Sequence, residues 1–125
     1  MTGATLDTGA LIAFERADRR VVALVSRALD HCDVLSVPAG VLAQAWRDGT
    51  PQARLGRLLN AQVVDVVPLD DLSARMAGQL CGVSGTADVV DASVIVCARQ
   101  REQVVVTDDT EDLLRIDPTL RTVAI

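Results

Sequence analysis

Gln103-Val104-Val105-Val106-Thr107-Asp108-Asp109 is the stretch that decides how this chain folds. Three consecutive valines read as a strand buried on both faces, and such strands belong to parallel sheets covered by helices. Two acids follow the strand directly, and residues 111–116 then take helical spacing. Strand, acid and helix in succession form the unit, and the rest of the chain repeats it.

Ala4-Thr5-Leu6-Asp7 is a first short strand, followed by a helix over 9–16 and, past Arg19 and Arg20, by a second helical stretch through Leu29 that His31, Cys32 and Asp33 close. Val34-Leu35-Ser36-Val37 is the next strand and Pro38 stops it. Residues 39–47 have helical spacing, with Val41, Leu42, Ala45 and Trp46 on the apolar face, and Asp48-Gly49 makes the exit turn. Thr50-Pro51 pairs an N-cap with a first helical position, opening a helix to about 59 that carries Arg54 and Arg57 one turn apart. A strand over 62–67 follows. Asp70 or Asp71 caps a helix to about 81, and Gly82-Val83-Ser84-Gly85-Thr86 reads as a loop. A helix over 88–101, the valine strand, a short helix and a last strand over 120–125 complete an expected single α/β/α domain across residues 1–125, three layers around a central parallel sheet.

Composition narrows the chemistry. The chain has 125 residues, 50% of them hydrophobic, which is enough apolar surface to bury a core and excludes disorder. All 12 basic residues are arginine, against 17 acids, for a net charge of −5. Without lysine there is no Schiff base, no P-loop and no lysine to sense a phosphoryl group. That removes the phosphoacceptor receiver domain, which also gathers acids at the strand ends of a parallel sheet. A dehalogenase-like phosphatase needs Asp-x-Asp after the first strand, where Asp7 is followed by Thr8 and Gly9, and no G-x-G-x-x-G fingerprint for a dinucleotide is present. One Phe and one Trp make no platform for stacking bases, and Trp46 reads as core. His31 stands alone, and Cys32, Cys81 and Cys97 lack metal or disulfide spacing and read as buried small hydrophobes. With no basic leader and no apolar stretch of spanning length, the expectation is a cytoplasmic protein without membrane association.

Open parallel sheets bind ligands beyond the carboxyl ends of their strands. The polar residues expected there are aspartates: Asp7 after the first strand, Asp88 and Asp91 opening a helix, and Asp108 and Asp109 after the valine strand. Each acid is also what a helix N-terminus accepts as a cap. Three segments delivering acids to one edge call for a cation, and oxygen donors alone select a hard one, Mg²⁺ or Mn²⁺. Such ions commonly act on phosphate esters, so the cluster points to phosphodiester hydrolysis.

Leu6-Asp7-Thr8-Gly9-Ala10-Leu11-Ile12-Ala13, Val41-Leu42-Ala43-Gln44-Ala45-Trp46-Arg47, Ala87-Asp88-Val89-Val90-Asp91-Ala92 and Val106-Thr107-Asp108-Asp109 resemble, in order and spacing over nearly the whole chain, the PIN-domain ribonucleases, and among them the VapC-type toxins of type II toxin–antitoxin pairs. The resemblance implies a Mg²⁺- or Mn²⁺-dependent endoribonuclease acting on RNA, a cognate antitoxin that blocks the site, and a homodimer. It also implies that Asp7, Asp91 and Asp109 are catalytic metal ligands, that Asp88 is an additional ligand, that the Thr107 hydroxyl supports them, and that Asp112 lies at the rim. Gln44 stands where the family often has glutamate, which weakens metal binding; Glu15 is a candidate compensating acid. Arg47, one turn beyond Gln44 on the expected helix, is the first choice for holding a substrate phosphate, ahead of Arg19, Arg20, Arg54 and Arg57. The competing reading is a PIN-like module that binds RNA or a partner without cutting. Two divalent ions would bring the charge from −5 to about −1, so the acidity is largely that of the empty site.

Overall fold

The computed structural model describes residues 3–47 and 52–125. The elements run β1 (Ala4–Leu6), α1 (Thr8–Glu15), α2 (Arg19–His31), β2 (Leu35–Pro38), α3 (Ala39–Ala45), α4 (Ala53–Leu59), β3 (Val64–Val67), α5 (Asp71–Ser84), α6 (Val89–Arg101), β4 (Val104–Thr107), α7 (Thr110–Ile116) and β5 (Thr122–Ala124). The sheet order is β3-β2-β1-β4-β5 and every pairing is parallel, with Leu6 opposite Val106 in the β1–β4 register. The chain builds outward from β1 through β2 to β3, then returns to the other side of β1 for β4 and β5. The sheet therefore reverses its winding between β1 and β4, and the crevice beyond their carboxyl ends is where such folds hold ligands.

Burial follows the sequence pattern. Leu6, Leu35, Val37, Val105 and Val106 are fully buried and join Leu11, Val21, Val41, Leu55, Val94, Ile95 and Leu113 in one core. Helix α6 is buried from Ala92 through Ala98, because it lies against β1, β2 and β4 and is itself covered by α5. A helix enclosed on all sides has no polar face, so its sequence is apolar over that span except for Ser93, whose hydroxyl donates to the Val90 carbonyl at 2.6 Å. By contrast α2 keeps a polar outer face; Asp18 caps its start by accepting from the amides of Arg20 and Val21, and Cys32 ends it in the left-handed conformation. No single described helix is long and apolar enough to cross a membrane.

Several boundaries differ from the sequence expectation. Helix α5 continues to Ser84 and the stop is Gly85 at φ 80°, so 82–84 belong to the helix. Gly82 sits within α5 with open space where a side chain would be, and no left-handed residue ends the helix before Gly85. Helix α3 ends at Ala45, and Trp46 is extended at ψ 132°. Trp46 is consequently 38% exposed rather than core, and lines an open apolar groove with Leu42 and Leu59. Cys97 is buried as expected, but Cys32 is exposed and Cys81 half-buried. The Thr50-Pro51 cap lies outside the described residues; Gln52 is the residue immediately before α4.

Candidate active site

The acids reach the strand edge because each occupies a helix start. Asp7 follows β1 and caps α1, its Oδ1 accepting the Ala10 amide at 2.9 Å. Asp88 caps α6 by accepting the Asp91 amide at 2.9 Å, and Asp109 caps α7 by accepting the Asp112 amide at 3.3 Å. Capping and clustering are thus one arrangement. The free amides of a helix's first turn hold a carboxylate in place, and the topology brings three such turns to the β1–β4 crevice.

Thr107, fully buried at the end of β4, ties two of these segments together. Its Oγ1 accepts the Asp109 amide at 2.8 Å while its hydroxyl donates to the Asp7 carboxylate. Asp7 is 6% exposed, and burial raises its carboxyl above the ordinary range despite the hydrogen bonds from Thr107 and Ala10; the charges of Asp108 and Asp109 push the same way. Asp91 is affected most. Burial, the charge of Asp88, a hydrogen bond shared with Asp88, and the charges of Asp7 and Asp109 push its carboxyl up to about 7. Asp7, Asp88, Asp91 and Asp109 therefore act on one another as a single electrostatic group.

Gln44 joins them through Thr8, whose hydroxyl donates to the Gln44 Oε1 at 2.6 Å beside Asp7. Asp112 lies at the rim, its carboxyl raised by its hydrogen bond with Asp109 and by that residue's charge, and it is paired with Arg115 at 3.0 Å. Asp108, expected at this edge but given no role as a ligand, is also a neighbour. Its carboxylate lies against the first turn of α1, where any side chain at Gly9 would overlap it. The adjacency of Thr107-Asp108 and Thr8-Gly9 at two strand ends was the available signal.

Two expected residues are elsewhere. Glu15 closes α1 at the end opposite Asp7, about 12 Å along the helix axis, and accepts from Gln52 Nε2 at 3.0 Å. It does not join the acids. Arg47 lies beyond the end of α3, so it is not one helical turn from Gln44; its Nη1 donates to the carbonyls of Ala43 and Trp46, at 3.2 and 2.8 Å. Its guanidinium satisfies the frayed end of α3. Arg19, Arg20, Arg54 and Arg57 are exposed on α2 and α4.

Among the described residues no three His, Cys, Asp or Glu side chains close into a ready-made metal cage. The donor set nonetheless fits a hard divalent cation. Its members are carboxylates without a nitrogen or sulfur partner, and burial together with the neighbouring negative charges raises the Asp91 carboxyl, a penalty that a cation would offset.

Fold and site together define a three-layer parallel α/β domain with an acid cluster at its topological switch point. That fold is shared with chains in several solved structures. A chain of VapBC2 from Rickettsia felis bound to a promoter DNA fragment superposes with a TM-score of 0.74 at 15% identity, covering 98% of both chains. A chain of a toxin–antitoxin complex from Klebsiella pneumoniae gives 0.70 at 15% identity, over 97% of this chain and 96% of that one. A chain of FitAcB from Neisseria gonorrhoeae gives 0.64 at 20% identity and 95% of each chain. No protein-family model and no curated protein matches the sequence. The PIN-like α/β/α architecture that the resemblance implies is the architecture observed.

Proposed function

We propose that this chain is a Mg²⁺- or Mn²⁺-dependent endoribonuclease and the toxin of a toxin–antitoxin pair. The observation that carries the reading is the gathering of Asp7, Asp88, Asp91 and Asp109 at the switch point, where burial first, and then the charges of its neighbours, push the Asp91 carboxyl up to about 7. Asp7, Asp91 and Asp109, with Asp88 beside them, are the residues that would hold the ion. When bound, a divalent ion there supplies a water-derived nucleophile and neutralises charge on the phosphate. Thr107 keeps Asp7 and the Asp109 backbone in register, while Thr8 and Gln44 border the position where the phosphate would lie. The toxin–antitoxin complex among the similar structures supports a cognate antitoxin, which would cover this edge; a homodimer and a cytoplasmic location complete the reading.

The purified protein is expected to cut RNA with Mg²⁺ or Mn²⁺ and to stop with EDTA. Cleavage that persists in EDTA, or no cleavage with either ion, would remove the reading. Stability carries a second signature. Because the Asp91 carboxyl is raised from 3.8 to about 7, the folded chain binds more protons than the unfolded one between those values. Metal-free protein should therefore lose stability as pH rises from 3.8 to about 7, by about 1–2 kcal/mol after allowance for solvent screening, and no further above that. Thermal melts should show Mg²⁺ raising Tm at about pH 8 and having little effect at about pH 5, where the carboxyl is already protonated.

Gln44 favours a second reading, an RNA- or partner-binding module without turnover, because its amide adds no charge and its oxygen already accepts from Thr8. Calorimetry on Gln44→Glu separates the two. In the nuclease reading the added carboxylate tightens Mg²⁺ binding about tenfold and cleavage rises from a measurable wild-type level. In the other, the wild type binds RNA and cuts none.

A further inference from the structure

We propose that Arg115 grips an RNA phosphate adjacent to the cleaved one, in a hollow that continues the acid site; this rests on the nuclease reading. The hollow measures about 300 Å³ and is walled by Thr86, Asp88, Asp91, Asp112, Arg115 and Ile116 together with the end of α5. Asp88 and Asp91 belong to the acid cluster, so a strand whose phosphate lies at the acids passes directly into this space. Arg115 is the one cation among its described lining residues. A chain of net charge −5 with clustered carboxylates at its binding edge repels a phosphodiester backbone, and a guanidinium at the rim offsets that repulsion where it is strongest.

The side chain is available. Its Nη1 lies 3.0 Å from Asp112 Oδ1 and its Nη2 3.4 Å from Glu111 Oε1, within the same helix, and it is 69% exposed. Exposed pairs of this kind contribute little, so exchanging a carboxylate for a phosphate costs little. Guanidinium is planar and fits phosphate with two parallel hydrogen bonds. Gly85, in the lining, has open space on the side where a side chain would stand. Arg47, the choice from sequence, has its guanidinium on the carbonyls of α3 instead.

The test measures binding of a short labelled single-stranded RNA of mixed sequence in an Asp7→Asn background with Mg²⁺, and cleavage kinetics in the otherwise wild-type chain. Arg115→Gln should weaken binding about tenfold and lower the slope of log affinity against log salt by about 0.7, the loss of one phosphate contact on a single strand. KM should rise by a similar factor with kcat changed less than about twofold. Arg115→Lys should retain the slope, and Arg75→Gln, which removes an exposed arginine paired with Asp71 elsewhere on α5, should leave slope and KM unchanged. An Arg115→Gln protein with wild-type affinity and slope overturns the proposal. If the unaltered chain cuts no RNA, the nuclease reading falls, and the salt slopes in the Asp7→Asn background still decide whether Arg115 holds phosphate.

Discussion

Asparagine in place of Asp91 is expected to lower RNA cleavage by about a thousandfold or more while raising the melting temperature of the metal-free protein. The two effects have one cause. The Asp91 carboxylate is the member of the cluster most penalised by burial and by Asp88, Asp7 and Asp109. Asparagine keeps the shape and leaves the backbone amide of residue 91 bonded to Asp88 Oδ1, but removes the charge that repels its neighbours and would bind a cation. The gain in stability above about pH 7 should be about 1–2 kcal/mol, or several degrees for a domain of this size. It should shrink as pH falls and vanish only below 3.8, where the carboxyl is protonated in the folded and unfolded chains alike. Calorimetric melts in EDTA across that pH range, with cleavage assays in Mg²⁺, check both halves. An Asp91→Asn protein that melts below the wild type at high pH would mean that the carboxylate is a structural support and that the mutual repulsion is not what its neighbours impose.

Alanine at Asp117 is expected to destabilise the fold by about 2–3 kcal/mol, near 10 °C in Tm, with cleavage per folded molecule unchanged. From sequence, this residue before Pro118 is only a helix stop. In the fold its side chain is 4% exposed. Its Oδ2 receives Arg99 Nε at 3.0 Å and Nη2 at 2.9 Å, and its Oδ1 receives the Thr119 amide at 2.9 Å and hydroxyl at 2.6 Å. Burial works against the charge, but the hydrogen bonds from Thr119 and the Arg99 guanidinium outweigh it and hold the carboxyl below its ordinary value. Alanine would strand those donors. The loss is less than for a fully enclosed pair because Arg99 is 48% exposed. Since the native pKa is lowered, the contribution is present above 3.8 and fades as pH falls through the lower folded value, so the gap between wild type and variant should narrow in acid. Arg99 stands near the end of α6 opposite Asp91, about 12 Å along the axis, so the acids should not sense the change. Denaturant melts and cleavage rates normalised to folded protein would show it. A variant as stable as the wild type would mean that the Thr119 and Arg99 contacts contribute nothing net.

The parts of this molecule legible in its sequence are those whose physics is local. Val104-Val105-Val106 is a buried strand because β-branched residues suit a pleat covered on both faces. Asp7, Asp18, Asp70, Asp88 and Asp109 start helices because a short carboxylate reaches an unsatisfied amide three residues on, or two as well in the case of Asp18. Helix ends were less legible. Gly82 and Gly85 carry the same local signal, and only Gly85 takes the left-handed conformation that ends α5. The end of α3 at Ala45 coincides with contacts from a residue further along the chain: Gln52, buried, donates to the Ala45 carbonyl at 2.8 Å and accepts the Arg47 amide at 2.7 Å.

By itself, then, the sequence determined the layer order, the parallel sheet and the set of aspartates that open its helices, since strand burial and helix capping depend on neighbours a few residues away. Tertiary structure alone decided which of those acids repel one another, that Glu15 bonds Gln52 and Arg47 the carbonyls at the end of α3 rather than facing the crevice, that Asp117 is a buried anchor, and that Arg115 lines the hollow beside Asp91. Coulombic coupling, burial and side-chain reach depend on distances through space, and residues as far apart in the chain as Asp7 and Asp91 come within that range only when the sheet reverses between β1 and β4.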